Sequence, residues 1–351
     1  MKRVAIIGGG FAGLAAGVEL AARGFSVDVL EARPRLGGRA YSFTDDASGE
    51  VVDNGQHAMM GCYTHTLAFL EQIGATRKLM RQPNLHVELI HPQRGTGTIT
   101  GSSLPSPLHL LTGILGYRLL SRSERVCALL GGMRLMALRR RRDPQLAQWT
   151  VQQALIAVGQ SANARSSFWN PVAIATLNES PLRAASALRR LEQFEASPIV
   201  STHLWFDRPV LSGEFVGLLG TTTQWIFNRS KLTANGNGHG PQCLSAVISA
   251  GRDAVEWDTR QVVDTVVNDL RSLVPAARQA QLLRSVVVKE KYATISPTPA
   301  AERLRPPPQT SVDNFFLAGD WVQTGLPPTI ESAVVSGQRA AQLVADRLAG
   351  H

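Results

Sequence analysis

The sequence predicts an α/β fold. A Rossmann-like dinucleotide-binding domain is split between the two ends of the chain, and an α+β domain is inserted between its halves. Three features predict this. A βαβ unit with a glycine-rich turn begins at the first residues. A strand followed by Gly-Asp and a long helix closes the chain. Between them the texture passes from helices to strands at Ile199. The expected boundaries are 1–60 plus 282–351 for the split domain and 61–281 for the inserted one, with a basic, apolar helical part at 104–142.

Taken in order, Val4–Ile7 reads as a buried strand, Phe11–Arg23 as a helix stopped at Gly24, and Ser26–Leu30 as a second strand. A Gly/Arg loop and a polar stretch run to Gly55. Helices are expected over 63–73, 108–120, 123–138, 149–158 and 166–177, with a hairpin at 85–90 and 97–100. Strands follow at 200–206, 215–219, 224–227 and 244–248, with a loop tip at Asn235–Gly238. A helix at 259–273, a strand at 284–289, a non-regular Pro-rich stretch at 297–308, a buried strand at 315–318 and a helix at 330–348 complete the chain.

Composition bounds the function. A chain of 351 residues is long enough for roughly two domains and a core that needs no staples. Cys62, Cys127 and Cys243 are far apart and form no CxxC pair, so neither a disulfide framework nor a metal site is expected. Glycines and Glu19 interrupt the N-terminal apolar run, which therefore does not read as a signal peptide. No charge-free apolar window reaches 18 residues, so no transmembrane helix is expected. The net charge of +9 suggests an anionic partner.

Gly8-x-Gly10-x-x-Gly13 lies between a strand and a helix. Gly8 permits the tight turn, Gly10 lets a pyrophosphate approach the backbone, and Gly13 lets helix and strand pack closely. The helix start, Phe11 and Ala12, offers free N–H groups and partial positive charge to phosphates. Glu31 ends the second strand, where a carboxylate can accept from ribose hydroxyls. Near the other end, Gly319-Asp320 follows a strand, and Thr329-Ile330 opens the last helix. Asp320 can accept from polyol hydroxyls, and Thr329 can cap a helix whose dipole faces a ring that gains negative charge.

Glu31-Ala32-Arg33 followed by Gly37-Gly38-Arg39 resembles the extended fingerprint of flavoproteins, which implies FAD as cofactor. With the Gly-Asp ending, the whole resembles the amine oxidase and phytoene desaturase-like superfamily. Asp53-Asn54-Gly55-Gln56-His57, Gly61-Cys62-Tyr63, Leu177-Asn178-Glu179-Ser180, Gly319-Asp320-Trp321 and Thr324–Glu331 resemble its squalene-associated, hydroxysqualene dehydroxylase branch. The resemblance runs nearly end to end. It implies an enzyme of squalene and hopanoid biosynthesis in which reduced FAD delivers hydride to an isoprenoid (triterpene) substrate as hydroxyl leaves as water. Electrons would come from a nicotinamide cofactor or a partner reductase. Gly55 and Gln56 would approach the flavin. His57 and Gln56 are candidates for polarising the leaving group, and Lys291 for a lysine near the flavin's reactive nitrogen. For His57 a structural role is an equal alternative, and for Lys291 a solvated one. Carotenoid-type desaturation and amine oxidation are the alternative reactions, although no aromatic cage for an amine is evident among 6% aromatic residues.

Residues 104–142 hold eight arginines and one acid, Glu124, which accounts for most of the net charge. An apolar helix flanked by arginines suits an anionic membrane interface, the alternative being a buried core helix followed by a solvated Arg run, and without interleaved aromatics nucleic acid is not expected. The expected location is cytoplasmic, peripheral on the inner face of the plasma membrane. Against the family pattern, a block of substrate-domain sequence is missing between Ala187 and Leu191. That shortfall raises a third reading, an inactive, membrane-associated flavin-binding homologue.

Overall fold

The computed structural model describes residues 2–105, 108–141, 149–180, 194–233 and 241–349. The expected loop tip at 235–238 and the junction at 187–191 lie outside them. In chain order, the first elements are β1 (Arg3–Ile7), α1 (Phe11–Ala22), β2 (Ser26–Leu30), β3 (Ser42–Thr44), β4 (Val51–Asp53), α2 (Thr64–Gln72), β5 (His86–His91) and β6 (Gly95–Thr100). The helical stretch holds α3 (Leu111–Gly116), α4 (Arg122–Arg140), α5 (Val151–Ala157), α6 (Ala162–Ala164) and α7 (Asn170–Leu177). Then come β7 (Ala196–Phe206), β8 (Phe215–Leu218), β9 (Trp225–Asn228), α8 (Arg229–Leu232), β10 (Gln242–Ser249), α9 (Thr259–Leu273), β11 (Leu282–Ile295), α10 (Pro299–Leu304) and α11 (Ile330–Ala349).

The chain forms two compact units. One comprises Met1–Leu79, Ala187–Ala196 and Ala293–His351, the other Met80–Ser186 and Ser197–Tyr292. The first unit thus takes in α2, which the sequence reading placed in the inserted domain.

In the first unit β1 and β2 pair in parallel, Arg3 with Ser26 through Ile7 with Leu30. α1 and α11 cover one face of this pair, and Ala16, Leu20 and Ala341 form a small core there. Close approach requires glycine at two points. A Cβ on Gly13 would lie 2.0 Å from the Gly8 carbonyl oxygen, and one on Gly337 would lie 2.1 Å from that of Ala12. The expected strand at 315–318 does not form. Phe316 makes only an isolated bridge with Gln309, and β1 is paired with β2 alone among the described residues. A strand needs a ladder partner for its N–H and C=O groups, and here the edge beside β1 is not taken up: Ile7 is 84% exposed. The Pro-rich stretch also departs from expectation. Pro299 starts α10, with Thr298 capping it by accepting from the Ala301 N–H at 3.0 Å.

The second unit is built on a seven-stranded sheet, ordered β11-β7-β10-β9-β8-β5-β6 among the described residues. Alternation puts Val200, Leu204 and Phe206 of β7 and Leu244, Ala246 and Ile248 of β10 on one face. α9 covers them with Val262, Val266 and Leu270. Each buried Val, Leu, Ile or Phe among them contributes about 1.5–3 kcal/mol.

The expected helix at 108–120 stops at Gly116. Tyr117 turns extended so that its ring reaches the core and its hydroxyl donates to the Ser167 carbonyl at 2.6 Å. Ser121 then begins α4 with a reciprocal capping box to Glu124. Burial opposes ionisation of Glu124. Hydrogen bonds from the Ser161 hydroxyl, the Ser121 backbone and the Asn163 amide outweigh it and hold the carboxyl at about 2. A carboxyl held below its unfolded value stabilises at pH above that value, near 4.5, and loses the contribution as pH falls towards 2. With solvent screening this amounts to about 1 kcal/mol. Thermal melts between pH 5 and pH 3 should therefore drop less for Glu124→Gln than for the parent chain, and an equal drop would show that this network contributes nothing.

Candidate functional site

Three sequence segments meet in the first unit. The first is the turn from Gly8 to Gly13. Gly8 takes a left-handed backbone, φ +102°, and Gly10 precedes α1 in an extended conformation. No side chain caps α1, so its first N–H groups remain for a ligand. Glu31, at the end of β2, accepts from the Gly9 N–H at 2.7 Å and the Arg33 N–H at 3.0 Å. These hydrogen bonds, that from Arg33 foremost, keep its carboxyl below the usual range. Two acceptors with four lone-pair directions retain capacity for ribose hydroxyls beside the turn.

The second segment is Gly37–Arg39. The Gly37 N–H donates to the Gly9 carbonyl at 2.8 Å, and a Cβ on Gly38 would come within 3.1 Å of Gly10 Cα. The Gly-Gly pair therefore lies directly on the Gly8–Gly13 turn. Arg35 stacks on Tyr41, its guanidinium carbon 3.3 Å from the ring centroid. Arg39 donates to the Ala293 carbonyl at 3.1 Å and pairs with Asp320 at 2.5 Å.

The third segment is Gly319–Ile330. The Ser336 hydroxyl accepts from the Gly319 N–H at 2.8 Å. A Cβ at 319 would lie 2.2 Å from the Trp321 indole nitrogen, so the turn requires glycine. Asp320 is buried, with one carboxylate oxygen on Arg39. Thr329 caps α11, its hydroxyl accepting from the Ser332 N–H at 3.3 Å. Ile330 packs with Ala15, Phe69 and Val334, alongside Phe11.

Three supporting residues were given no role in the sequence reading, although Asn54 and Glu331 lie in the strings that carry the resemblance. Asn54 is buried. Its amide donates to the Arg39 carbonyl at 2.8 Å and accepts from the Tyr41 N–H at 3.2 Å, holding the Gly-Gly-Arg loop in place. Arg305, also buried, donates to the Asp320 carbonyl at 2.7 Å, the Leu326 carbonyl at 2.6 Å, Ser332 at 2.9 Å and Thr324 at 3.2 Å. It thus ties the Gly-Asp turn to the start of α11. Glu331 accepts from the N–H groups of His65 and Thr66 at 3.0 and 2.8 Å, capping α2 from α11. The only sequence signal for Arg305 is a charge in a proline-rich setting, and for Glu331 its place at the end of the Thr324–Glu331 string.

The remaining candidates are placed differently. Gly55 and Gln56 are half-buried and His57 is exposed, on the segment that follows the anchored Asn54. Lys291 belongs to the second unit, where it pairs with Glu256 at 3.3 Å across an exposed surface. Cys62 and Cys127 are exposed thiols and Cys243 is a buried one.

A glycine turn at a helix start, a carboxylate at the end of the next strand and a Gly-Asp turn leading to a second helix start define a two-part dinucleotide cradle. Its residues fit FAD: an uncapped helix start for the pyrophosphate, Glu31 for a ribose and Asp320 for the ribityl chain. The chain belongs to the family of flavin-containing amine oxidoreductases, whose model matches residues 11–173 and 150–345. It is an FAD-dependent oxidoreductase.

Among its relatives is a hydroxysqualene dehydroxylase of Sinorhizobium fredii. That protein is 27% identical over 423 residues, covering 97% of this chain and 98% of the relative. A 15-cis-phytoene desaturase of an Oncidium hybrid is 29% identical, over 45% of this chain and 28% of the relative. Wild-type putrescine oxidase bound to putrescine shares the fold, with a TM-score of 0.62 at 19% identity over 98% of this chain and 99% of that one. The alignment to the S. fredii enzyme spans 423 positions, 72 more than the 351 residues of this chain.

Proposed function

We propose that this enzyme converts hydroxysqualene to squalene as a step of squalene and hopanoid biosynthesis. The observation that carries the reading is the end-to-end match to a hydroxysqualene dehydroxylase, against partial coverage by the carotenoid desaturases. When bound, reduced FAD supplies the hydride that replaces the hydroxyl, and the hydroxyl leaves as water once protonated. The chain's own residues bind and orient. Gly8, Gly10, Phe11, Ala12 and Gly13 hold the pyrophosphate. Glu31, Ala32 and Arg33 hold the adenosine ribose. Gly38, Arg39, Gly319, Asp320, Thr329 and Ile330 hold the flavin half, with Gly55 and Gln56 beside it. Gln56 and His57 are the candidates for polarising the leaving hydroxyl, with Lys291 as a further candidate near the flavin. A nicotinamide cofactor or a reductase supplies the electrons. An isoprenoid substrate is drawn from lipid, so the reading includes a peripheral contact with the inner face of the plasma membrane. Among the described residues no helix is long and apolar enough to cross a membrane.

The 72 extra positions in the alignment favour a second reading, a chain that keeps the cradle and has lost turnover. Two measurements separate the readings. Purified protein should show flavin absorption at near one equivalent, and with a chemical reductant it should convert hydroxysqualene to squalene. Flavin without turnover would establish the second reading, and an absence of flavin would sink both.

A further inference from the structure

The second unit carries a surface that its own packing does not explain. Soluble helices ordinarily turn large apolar residues inward. α4 does so only in part: Leu129 packs against the unit's core and Leu135 lines a cavity with Ala154, Leu155 and Trp169, but a second apolar row is left outside. Its buried residues are Ala128 and Gly131, while Val126, Leu130 and Met133 face outward. Gly131 lets this side of α4 lie close on Gln160, since a Cβ there would lie 2.2 Å from the amide nitrogen. Val126, Leu130, Met133 and Ala137 are spaced four, three and four residues apart. At about 100° per residue they share an arc of about 60°. Arg122 and Arg140 flank the arc on one side and Arg134 on the other.

α3 buries Ile114 in the same core and likewise leaves a second apolar side outside. Gly113 is buried with its Cβ position 2.7 Å from the Thr100 carbonyl oxygen, and Leu111 and Leu115 point out. Together with Leu108, the outward-facing large apolar residues of the two helices are 37–53% exposed.

The charge around this ridge is uncompensated. Arg118, Arg122, Arg139, Arg140 and Arg141 form no ion pair among the described residues. The segment's one acid, Glu124, is held by Ser121, Ser161 and Asn163. We propose that α3 and the outward face of α4 dock on an anionic phospholipid bilayer, with the Leu/Val/Met ridge entering the interface and the arginines meeting head groups. A second copy of the chain is a poor occupant, since it would bring the same positive rim against itself. The surface stands on its own geometry, and only its purpose, delivery of a lipid-dissolved triterpenoid, rests on the hydroxysqualene reading.

The test is flotation of the full-length, flavin-loaded protein with vesicles of phosphatidylcholine, with or without one third phosphatidylglycerol. The protein should float with the anionic vesicles, and the bound fraction should fall as salt screens the arginines. The pair Leu130→Glu and Met133→Glu, outward-facing and so compatible with the fold, should lower binding roughly tenfold or more. Replacing Arg139, Arg140 and Arg141 by Gln should lower it on anionic vesicles only. Flotation of the Glu variant equal to the parent would overturn the proposal. So would failure of the parent to float, or a parent oligomer that the Glu variant converts to monomer. Turnover of hydroxysqualene in detergent micelles is measured in parallel. A parent that floats without turnover leaves the docking surface standing and removes the hydroxysqualene reading.

Discussion

Replacing Gly10 by valine should leave the protein folded and strip it of flavin. Gly10 has φ −75° and ψ 178°, an extended conformation open to any residue. Its Cβ position meets nothing nearer than Gly38 Cα at 4.0 Å. The valine would instead occupy the space beside the first N–H groups of α1, where a pyrophosphate must come close to the backbone. FAD affinity should fall at least about a hundredfold, near 2.8 kcal/mol, with the apoprotein's melting temperature little changed. Gly13→Val provides the contrast. Its Cβ would stand 2.0 Å from the Gly8 carbonyl oxygen, so helix and strand must separate and the first unit should not fold. Flavin titration and circular dichroism of the two variants read out both effects. Stoichiometric flavin in Gly10→Val would mean that the cradle is elsewhere.

Arg305→Met should weaken the second half of the cradle from below. The guanidinium satisfies two backbone carbonyls and two hydroxyls in a buried setting, along with an i,i+3 pair to Glu302 at 2.9 Å. Methionine fills much of the volume and satisfies none of them. Leaving buried acceptors unpaired costs about 1–3 kcal/mol each, softened where water enters, so a loss of about 3 kcal/mol is expected. Arg305 touches no reacting group in this reading. It acts by fixing Asp320 and the start of α11, so FAD should bind roughly tenfold more weakly in whatever protein folds. Lysine keeps the charge but reaches fewer acceptors and should restore part of the stability. A methionine variant with unaltered melting temperature and unaltered flavin affinity would show that the network carries no positioning role.

Much of this was legible from the chain alone. The glycine turn, Glu31, the Gly-Gly-Arg loop and the Gly-Asp ending were each read from short spacings, because a tight turn between a strand and a helix is decided by neighbours a few residues apart. The helix at 259–273 was read to its ends, because its valines and Leu270 repeat at helical spacing behind an Asp258 cap. Elements whose fate depends on a distant partner were misread. The 315–318 stretch is apolar enough for a strand, but β1 does not pair with it. The 108–120 stretch is apolar enough for a helix, but the Tyr117 hydroxyl needs the Ser167 carbonyl 50 residues away.

The same division runs through the site. By itself the sequence determined the local features: a glycine turn at a helix start, a carboxylate after the second strand and another ahead of a capped helix, a pattern whose resemblance implied a flavoprotein. Only the tertiary structure decided what holds these pieces in register. Arg39 meets Asp320 across 281 residues, and Glu331 caps a helix 265 residues upstream. It also decided which way the basic apolar segment faces. The sequence showed an apolar stretch flanked by arginines there. Ala128, Gly131 and Leu129 seat α4 on the unit and leave the Val126, Leu130 and Met133 ridge outside, and hydrophobic periodicity alone could not reveal that, since it reports that a helix has an apolar side and not what that side meets.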